Sequence, residues 1–270
     1  MHATLSAIHV FPLKSGAALT RSEAVLETRG LADDRRFMVI DEQGTFLTGR
    51  QLPRLTLVRA QPAHTHTTFD APQMPTLSIE HPHAGTRADT AVWGAAVAPL
   101  LAPAAAHAWI SAFLGRACRI VYMDEACLRA VRAKYDGKYG QDGDVVSFAD
   151  AFPLLLISQA ALDLLNAKLA QAVPMLRFRP NLVVAGTAPH AEDAWKRIRI
   201  GACEFDVVKP CTRCVFTTVD FEHGSVDPSG EPLRTLIGYR RSADGVTFGQ
   251  NLIPRRLGTL RVGDAVEVMA

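Results

Sequence analysis

Two cysteines three residues apart, Cys211 and Cys214, lie in the segment KPCTRCVFTTVD, residues 209–220, with Lys209 just upstream and Arg213 between them. Three chemistries use such a pair. A structural zinc site needs four ligands, usually from two such pairs. The chain has no second CxxC, and no histidine lies within a few residues of this one. A thioredoxin-like redox pair opens a helix in a βαβ unit. Here Val215, Phe216, Thr217, Thr218 and Val219 follow, and that composition predicts a strand. The third chemistry is a single thiolate. Nearby cations favour the thiolate, the form that attacks or binds metal, and Lys209 and Arg213 supply them. One thiolate ligand to a soft metal centre fits these residues best. The bland alternative is a pair of small core thiols, the common fate of free cysteine.

A second group suits an anion. Lys14 and Ser15 follow a short β-prone run, Arg35 and Arg36 precede another, and Arg177, Arg179 and Asn181 surround Pro180. Guanidinium forks beside Ser and Asn donors are what a phosphate needs, although any one of them alone reads as solvated surface. The chain has no Walker loop and no GxGxxG, so neither a P-loop nucleotide nor a Rossmann dinucleotide is indicated. The pairs His64/His66 and His81/His83 lie in a loop-rich segment and read as surface rather than metal ligands.

The elements that must position these residues are mostly strands. The segment FMVIDEQGTFLT predicts a hairpin over 37–40 and 45–48. Residues 55–60 alternate as a strand. Residues 61–90 read as short strands joined by exposed loops. APAAAHAWISAFLG is an amphipathic helix stopped by Gly115. Beyond it come a strand in CRIVYM, a polar Gly-rich loop at 133–145, and a buried strand in FPLLLIS. SQAALDLLNAKLAQA is the clearest helix, with Ser158 as its cap. NLVVAG, KRIRIGACEFDVVK, CVFTTVDF and RVGDAVEVM read as further strands. Many short strands with a few helices favour a barrel or sandwich, divided into residues 1–117 and 118–270.

Composition bounds the partners. The 270 residues are 48% hydrophobic and 21% charged, with net charge +2. That balance is too even for a nucleic-acid-binding protein, so any positive site is local. No uninterrupted apolar run of about 18 residues predicts a membrane span, and the N-terminus has no secretory pattern. Five cysteines, an odd number in a chain of this size, argue against a disulfide framework. A cytoplasmic location in a reducing compartment is the expectation.

FPLKS, RRF, TGRQLPR, SFADAFPLLLIS, RFRPNLVV, AEDAW, KPCTRCVFTTVD and LRVGDAVEV occur in this order. Together they resemble the MOSC-domain proteins, in particular the amidoxime-reducing component and its bacterial YcbX-like relatives. The resemblance implies a mainly β fold (α+β): an N-terminal MOSC-type β-barrel domain packed with a MOSC β-barrel domain. It implies a molybdenum cofactor, molybdopterin-bound, with Cys214 as the protein ligand to the metal and Cys211 as the spare thiol. Lys14, Ser15, Arg36, Arg179, Asn181, Thr212, Arg213 and Asn251 match cofactor contacts of the family, and Asp150 an acidic residue near the metal. The implied activity is reduction of small N-hydroxylated compounds. No cysteine follows Cys214, so no iron–sulfur cluster is expected in this chain. Electrons are expected from a separate flavin, ferredoxin or cytochrome-type protein, with no membrane anchor and no nucleic acid. CLRAV stands where relatives show Arg-Pro, which leaves the part played by Arg129 open. The alternative class is a sulfur or molybdenum-cofactor carrier that uses Cys214 as persulfide or thiolate.

Overall fold

The computed structural model describes residues 2–131 and 139–269. β-branched and aromatic runs make most of the elements strands. The first are β1 (Thr4–Val10), β2 (Leu19–Arg21), β3 (Glu23–Glu27), β4 (Gly30–Leu31) and β5 (Phe37–Ile40). Next come β6 (Arg59–Pro62), β7 (His66–Asp70), β8 (Leu77–Glu80), β9 (Thr90–Val92), β10 (Ala95–Val97) and β11 (Leu100–Leu101). Helix α1 (Ala104–Leu114) and β12 (Arg119–Tyr122) follow, then β13 (Leu154–Ser158), α2 (Gln159–Asn166), β14 (Leu182–Ala185), β15 (Arg197–Ile200) and β16 (Cys203–Thr212). The chain ends with β17 (Val219–Asp220), β18 (Ser225–Val226), α3 (Leu233–Tyr239), β19 (Arg241–Ser242), β20 (Gly245–Arg256), β21 (Gly258–Arg261) and β22 (Val266–Val268). Among the described residues no helix is long and apolar enough to cross a membrane.

The main sheet runs β2-β1-β14-β13-β20-β16-β15-β22. A bridge between Thr4 and Ala265 brings its two ends together into a barrel. β13 and β14 pair in parallel across the α2 crossover, and every other neighbour on this path is antiparallel. The barrel interior is filled by Leu5, Ile8 and Leu26 from the N-terminal strands together with Leu156, Leu182, Phe205 and Leu252. A second core packs α1 against the N-terminal sheets through Phe37, Phe69, Trp109, Ile110 and Ile120. Three of the described sheets cross the 117/118 boundary: β1 pairs with β14, β3 with β21 and β12 with β5.

Three sequence expectations change. Residues 45–48 form no strand of their own. Phe46 bridges Ile40, Leu47 N–H donates to Val39 O, and the chain then leaves the sheet. Pro53 opens a 3-10 turn over Pro53–Leu57, so the alternation at 55–60 becomes a strand only from Arg59. α2 stops at Asn166, whose side chain bonds both Val173 N–H and Val173 O and so turns the chain away from the helix. Its cap is as expected: Ser158 Oγ accepts from Ala161 N–H.

Candidate functional site

The longest ladder, β16 with β20, carries register shifts at Val207/Lys209 and Pro210/Thr212. Such bulges bend a strand and re-aim its side chains. They lie where Lys209, Cys211 and Thr212 join the lining of a cavity of about 440 Å³. Just past β16 the chain was expected to continue as a strand through CVFTTVDF. It folds instead into a 3-10 turn, Val215–Thr218, with Cys214 extended at its start. The cause is local competition by threonine hydroxyls. Thr217 Oγ1 donates to Cys214 O at 2.9 Å and Thr218 Oγ1 to Val215 O at 2.8 Å. The turn leaves the Cys214 side chain exposed, on the cavity wall.

The two thiols have different neighbours. Arg50 Nε donates to Cys214 Sγ at 3.3 Å. Arg213 Nη1 donates to Cys211 Sγ at 3.0 Å, and its Nη2 is tied to Phe178 O at 2.7 Å. Both cysteines are free, and the remaining three, Cys118, Cys127 and Cys203, are buried. Burial pushes those three thiols above the ordinary range, so they are core residues.

Asp150 lines the same cavity and shares Arg50 with Cys214. It accepts from Lys14 Nζ at 2.6 Å, Arg50 Nη2 at 2.9 Å and Trp93 Nε1 at 3.0 Å. Desolvation works to raise its pKa, but the charges of Lys14 and Arg50, with the Lys14 and Trp93 hydrogen bonds, hold the carboxyl well below the usual range. Lys14 is buried, and its Nζ also donates to Phe148 O at 2.7 Å. Burial lowers its pKa to about 8, against the opposing pull of Asp150. Arg129 braces this segment from behind. Its Nε donates to Ser147 O at 3.0 Å and its Nη2 to Ala149 O, one residue before Asp150.

The far wall is cationic. Arg179 occupies a left-handed turn (φ 56°), stacks 4.1 Å from the Phe11 ring centroid and donates to Gly16 O at 2.6 Å. Among the described residues its buried Nη2 has no hydrogen-bond partner, and neither have Arg177 Nη1 and Arg213 Nε. Burial, and then the neighbouring Arg35, press the Arg179 pKa down to about 9. Seven cations line the cavity: Lys14, Arg35, Arg50, Arg177, Arg179, Lys209 and Arg213. Among the described residues they face one lining carboxylate, Asp150. Unpaired buried guanidinium N–H groups in such a field are suited to a phosphate.

Most of the expected residues meet here. Lys14, Ser15, Asp150, Arg179, Asn181, Thr212, Arg213, Cys214 and Asn251 all line the one cavity. Arg36 does not. Its Nε donates to Met123 O at 2.7 Å and its Nη2 to Glu125 at 2.6 Å, outside the cavity. The turn ahead of β5 sends these two neighbouring side chains to different sides. Arg35, with φ 50° and an ion pair to buried Asp34, takes the cavity side instead. Asn181 has its polar atoms committed to protein: Nδ2 donates to His9 O and Asp34 Oδ1, and Oδ1 accepts from Arg35 Nη1 and Leu155 N–H. It positions Arg35 rather than presenting a free donor. Asn251 Nδ2 is likewise bonded to Lys209 O. Arg50 and Trp93 were missed as site residues. Arg50 stands in the TGRQ motif, but its distance of 164 positions from Cys214 hides the contact. Trp93 carried no signal. His81 stacks on Tyr122 and meets Thr67, away from the cavity. Of the loop at 133–145, residues 133–138 lie outside the described residues.

Among the described residues no three His, Cys, Asp or Glu side chains converge as a ligand set. A metal at Cys214 would therefore take its other ligands from a cofactor, and the soft exposed sulfur with the anion-seeking wall behind it fits a metal-bearing organophosphate.

The profile of the MOSC N-terminal beta barrel domain matches residues 2–117, and that of the MOSC domain matches residues 143–267. Mitochondrial amidoxime-reducing component 1 of Mus musculus is 34% identical over 98% of this chain and 82% of its own length. Mitochondrial amidoxime reducing component 2 of Rattus norvegicus is 33% identical over 97% and 82%. Component 1 of Homo sapiens is 31% identical over 98% and 83%. The chain thus belongs to the MOSC family, as a MOSC N-terminal beta barrel joined to a MOSC domain, homologous over nearly its whole length to the mitochondrial amidoxime-reducing components.

Proposed function

We propose that the protein is a molybdenum-cofactor-dependent oxidoreductase that reduces small N-hydroxylated compounds: hydroxylamines, amidoximes or N-hydroxylated bases. The observation that carries this is the exposed Cys214 sulfur on the wall of a cavity also lined by Arg177, Arg179 and Arg213, each with one buried guanidinium nitrogen that lacks a hydrogen-bond partner among the described residues. Relatives named amidoxime-reducing components support the substrate class. Cys214 would hold the metal. Arg177, Arg179 and Arg213, with Lys14 and Ser15, would receive the cofactor's phosphate and pterin. When bound, the cofactor supplies two-electron removal of oxygen from the N–OH group.

The net reaction takes two electrons and two protons and yields the N–H compound and water. The electrons come from a separate redox protein, with this chain acting as a cytoplasmic partner. Asp150, held ionised by Lys14 and Arg50, is an acceptor that orients the substrate's N–H or O–H groups at neutral pH rather than a proton donor. Lys14, with its pKa near 8, is the neighbouring group that titrates close to neutrality. Arg50 places a positive charge against the sulfur.

Molybdenum and pterin content, measured on protein from a cofactor-competent host, tests the reading. Near-stoichiometric metal that is lost in Cys214→Ser, with benzamidoxime turnover under a chemical reductant, supports it. Metal-free protein carrying one extra sulfur on Cys214 by intact mass would replace it with the sulfur-carrier reading.

A further inference from the structure

Residues 48–51 form a stapled turn. Gln51 Oε1 accepts from Thr48 N–H at 3.1 Å and from Thr48 Oγ1 at 3.0 Å, while Gln51 N–H donates to Thr48 O at 3.1 Å. The 3-10 turn that Pro53 opens follows at once, so the backbone around Arg50 is held on both sides. Gly49 is buried, and a Cβ added to it would run into the Phe216 ring. A glycine here lets two chain segments approach closely. The Arg50 turn therefore lies directly against the turn Val215–Thr218 that Cys214 opens.

From that turn the Arg50 side chain bridges two groups of the cavity. Its Nε donates to Cys214 Sγ at 3.3 Å and its Nη2 to Asp150 Oδ2 at 2.9 Å. Its guanidinium also lies 4.8 Å from the Trp93 ring centroid. A guanidinium is a rigid planar fork, so fixing one nitrogen fixes the direction of the others. Asp150, anchored in turn by Lys14, thereby aims the Arg50 Nε–H at the sulfur. The side chain is 23% exposed, so this is a placed charge rather than a freely solvated one. The arginine on the other thiol is tied differently: Arg213, on Cys211, has its second nitrogen on the backbone oxygen of Phe178.

We propose that Arg50 is a positioning residue that raises the reduction potential of a molybdenum centre held by Cys214. This rests on the reductase reading above. A hydrogen bond to a ligand sulfur, here from a cationic donor, draws electron density away from the metal. The reduced metal is the more electron-rich form and gains more from that withdrawal, so the potential rises. A higher potential favours delivery of electrons from the separate redox protein. Arg50 acts through the sulfur and needs no contact with substrate, and Asp150 contributes by orienting it, in the way that groups behind a metal ligand set the ligand's properties.

The test uses wild type, Arg50→Lys and Arg50→Met loaded with cofactor in a competent host. Molybdenum content is measured first. The Mo(VI)/Mo(V) midpoint is then read by electron paramagnetic resonance during titration with dithionite through mediators. Arg50→Met keeps a long side chain but has neither charge nor donor. It is expected to lower the midpoint by a tenfold change in the equilibrium, about 59 mV for one electron. Arg50→Lys keeps the charge, but its single ammonium cannot serve sulfur and carboxylate as the fork does, so its midpoint is expected to fall between the other two. A midpoint that is unchanged or raised in either loaded variant overturns the proposal. Loss of metal from both variants also overturns it, because Arg50 would then retain the cofactor rather than tune it. If wild type itself binds no molybdenum, the reductase reading fails and this proposal falls with it; a loaded wild type with an indifferent midpoint sinks the proposal alone.

Discussion

Cys211 and Cys214 share a segment but not an environment. Arg213 engages the first, and Arg50, from the other end of the chain, engages the second. Cys211→Ser is therefore expected to retain most bound molybdenum, while Cys214→Ser loses it; metal analysis of the two purified variants checks this. Lys14 gives a pH signature. Its pKa is lowered from the ordinary 10.5 to about 8. Between those values the unfolded chain binds a proton that the folded chain has released, so the Lys14 contribution makes the fold more stable as pH rises through this window. Below about 8 both states are protonated there and the contribution is flat. The unfolding free energy of wild type minus that of Lys14→Met should climb from pH 8 to 10.5, by on the order of 3 kcal/mol. Denaturant melts across that range measure it, and a flat difference would remove Lys14 as the titrating group.

At the scale of elements, the site depends on how loops are clamped to strands. Asn181, just ahead of β14, is 1% exposed and joins His9, Asp34, Arg35 and Leu155 through four hydrogen bonds. Asn181→Ala leaves buried partners unpaired and should cost about 3 kcal/mol, seen as a lowered urea midpoint. Its motif RFRPN was legible in the sequence, but as a cofactor contact. Only the fold shows that Asn181 acts through Arg35. The turn after Cys214 went unread for a similar reason. Val, Phe and Thr have strand propensity, and the two Thr-to-carbonyl bonds that override it are a local choice that periodicity does not register.

The whole molecule is less divisible than its two matched segments suggest. Leu5, Ile8, Val10, Leu26 and Leu31 fill the barrel built mainly from residues 154–268. Each buried aliphatic side chain contributes about 1.5–3 kcal/mol. Residues 118–270 expressed alone should therefore lack a cooperative thermal transition by circular dichroism, and adding residues 1–31 in trans should restore one. A cooperative melt of the isolated segment would show that the N-terminal strands are dispensable.

What the sequence determined by itself is what depends on near neighbours. It set the mainly β composition, the Ser158 cap and, through motifs kept in order along the chain, the family and nine of the residues that line the cavity. The tertiary structure alone decided which arginine of the Arg35–Arg36 pair faces the cavity, that Arg50 and Trp93 close on Cys214 and Asp150, and that β1 completes a barrel made mostly by the other half. These outcomes turn on side-chain direction at a strand entrance and on contacts spanning 57 to 164 positions. No local window of sequence contains both partners of such a contact, and packing settles it only once the barrel has closed.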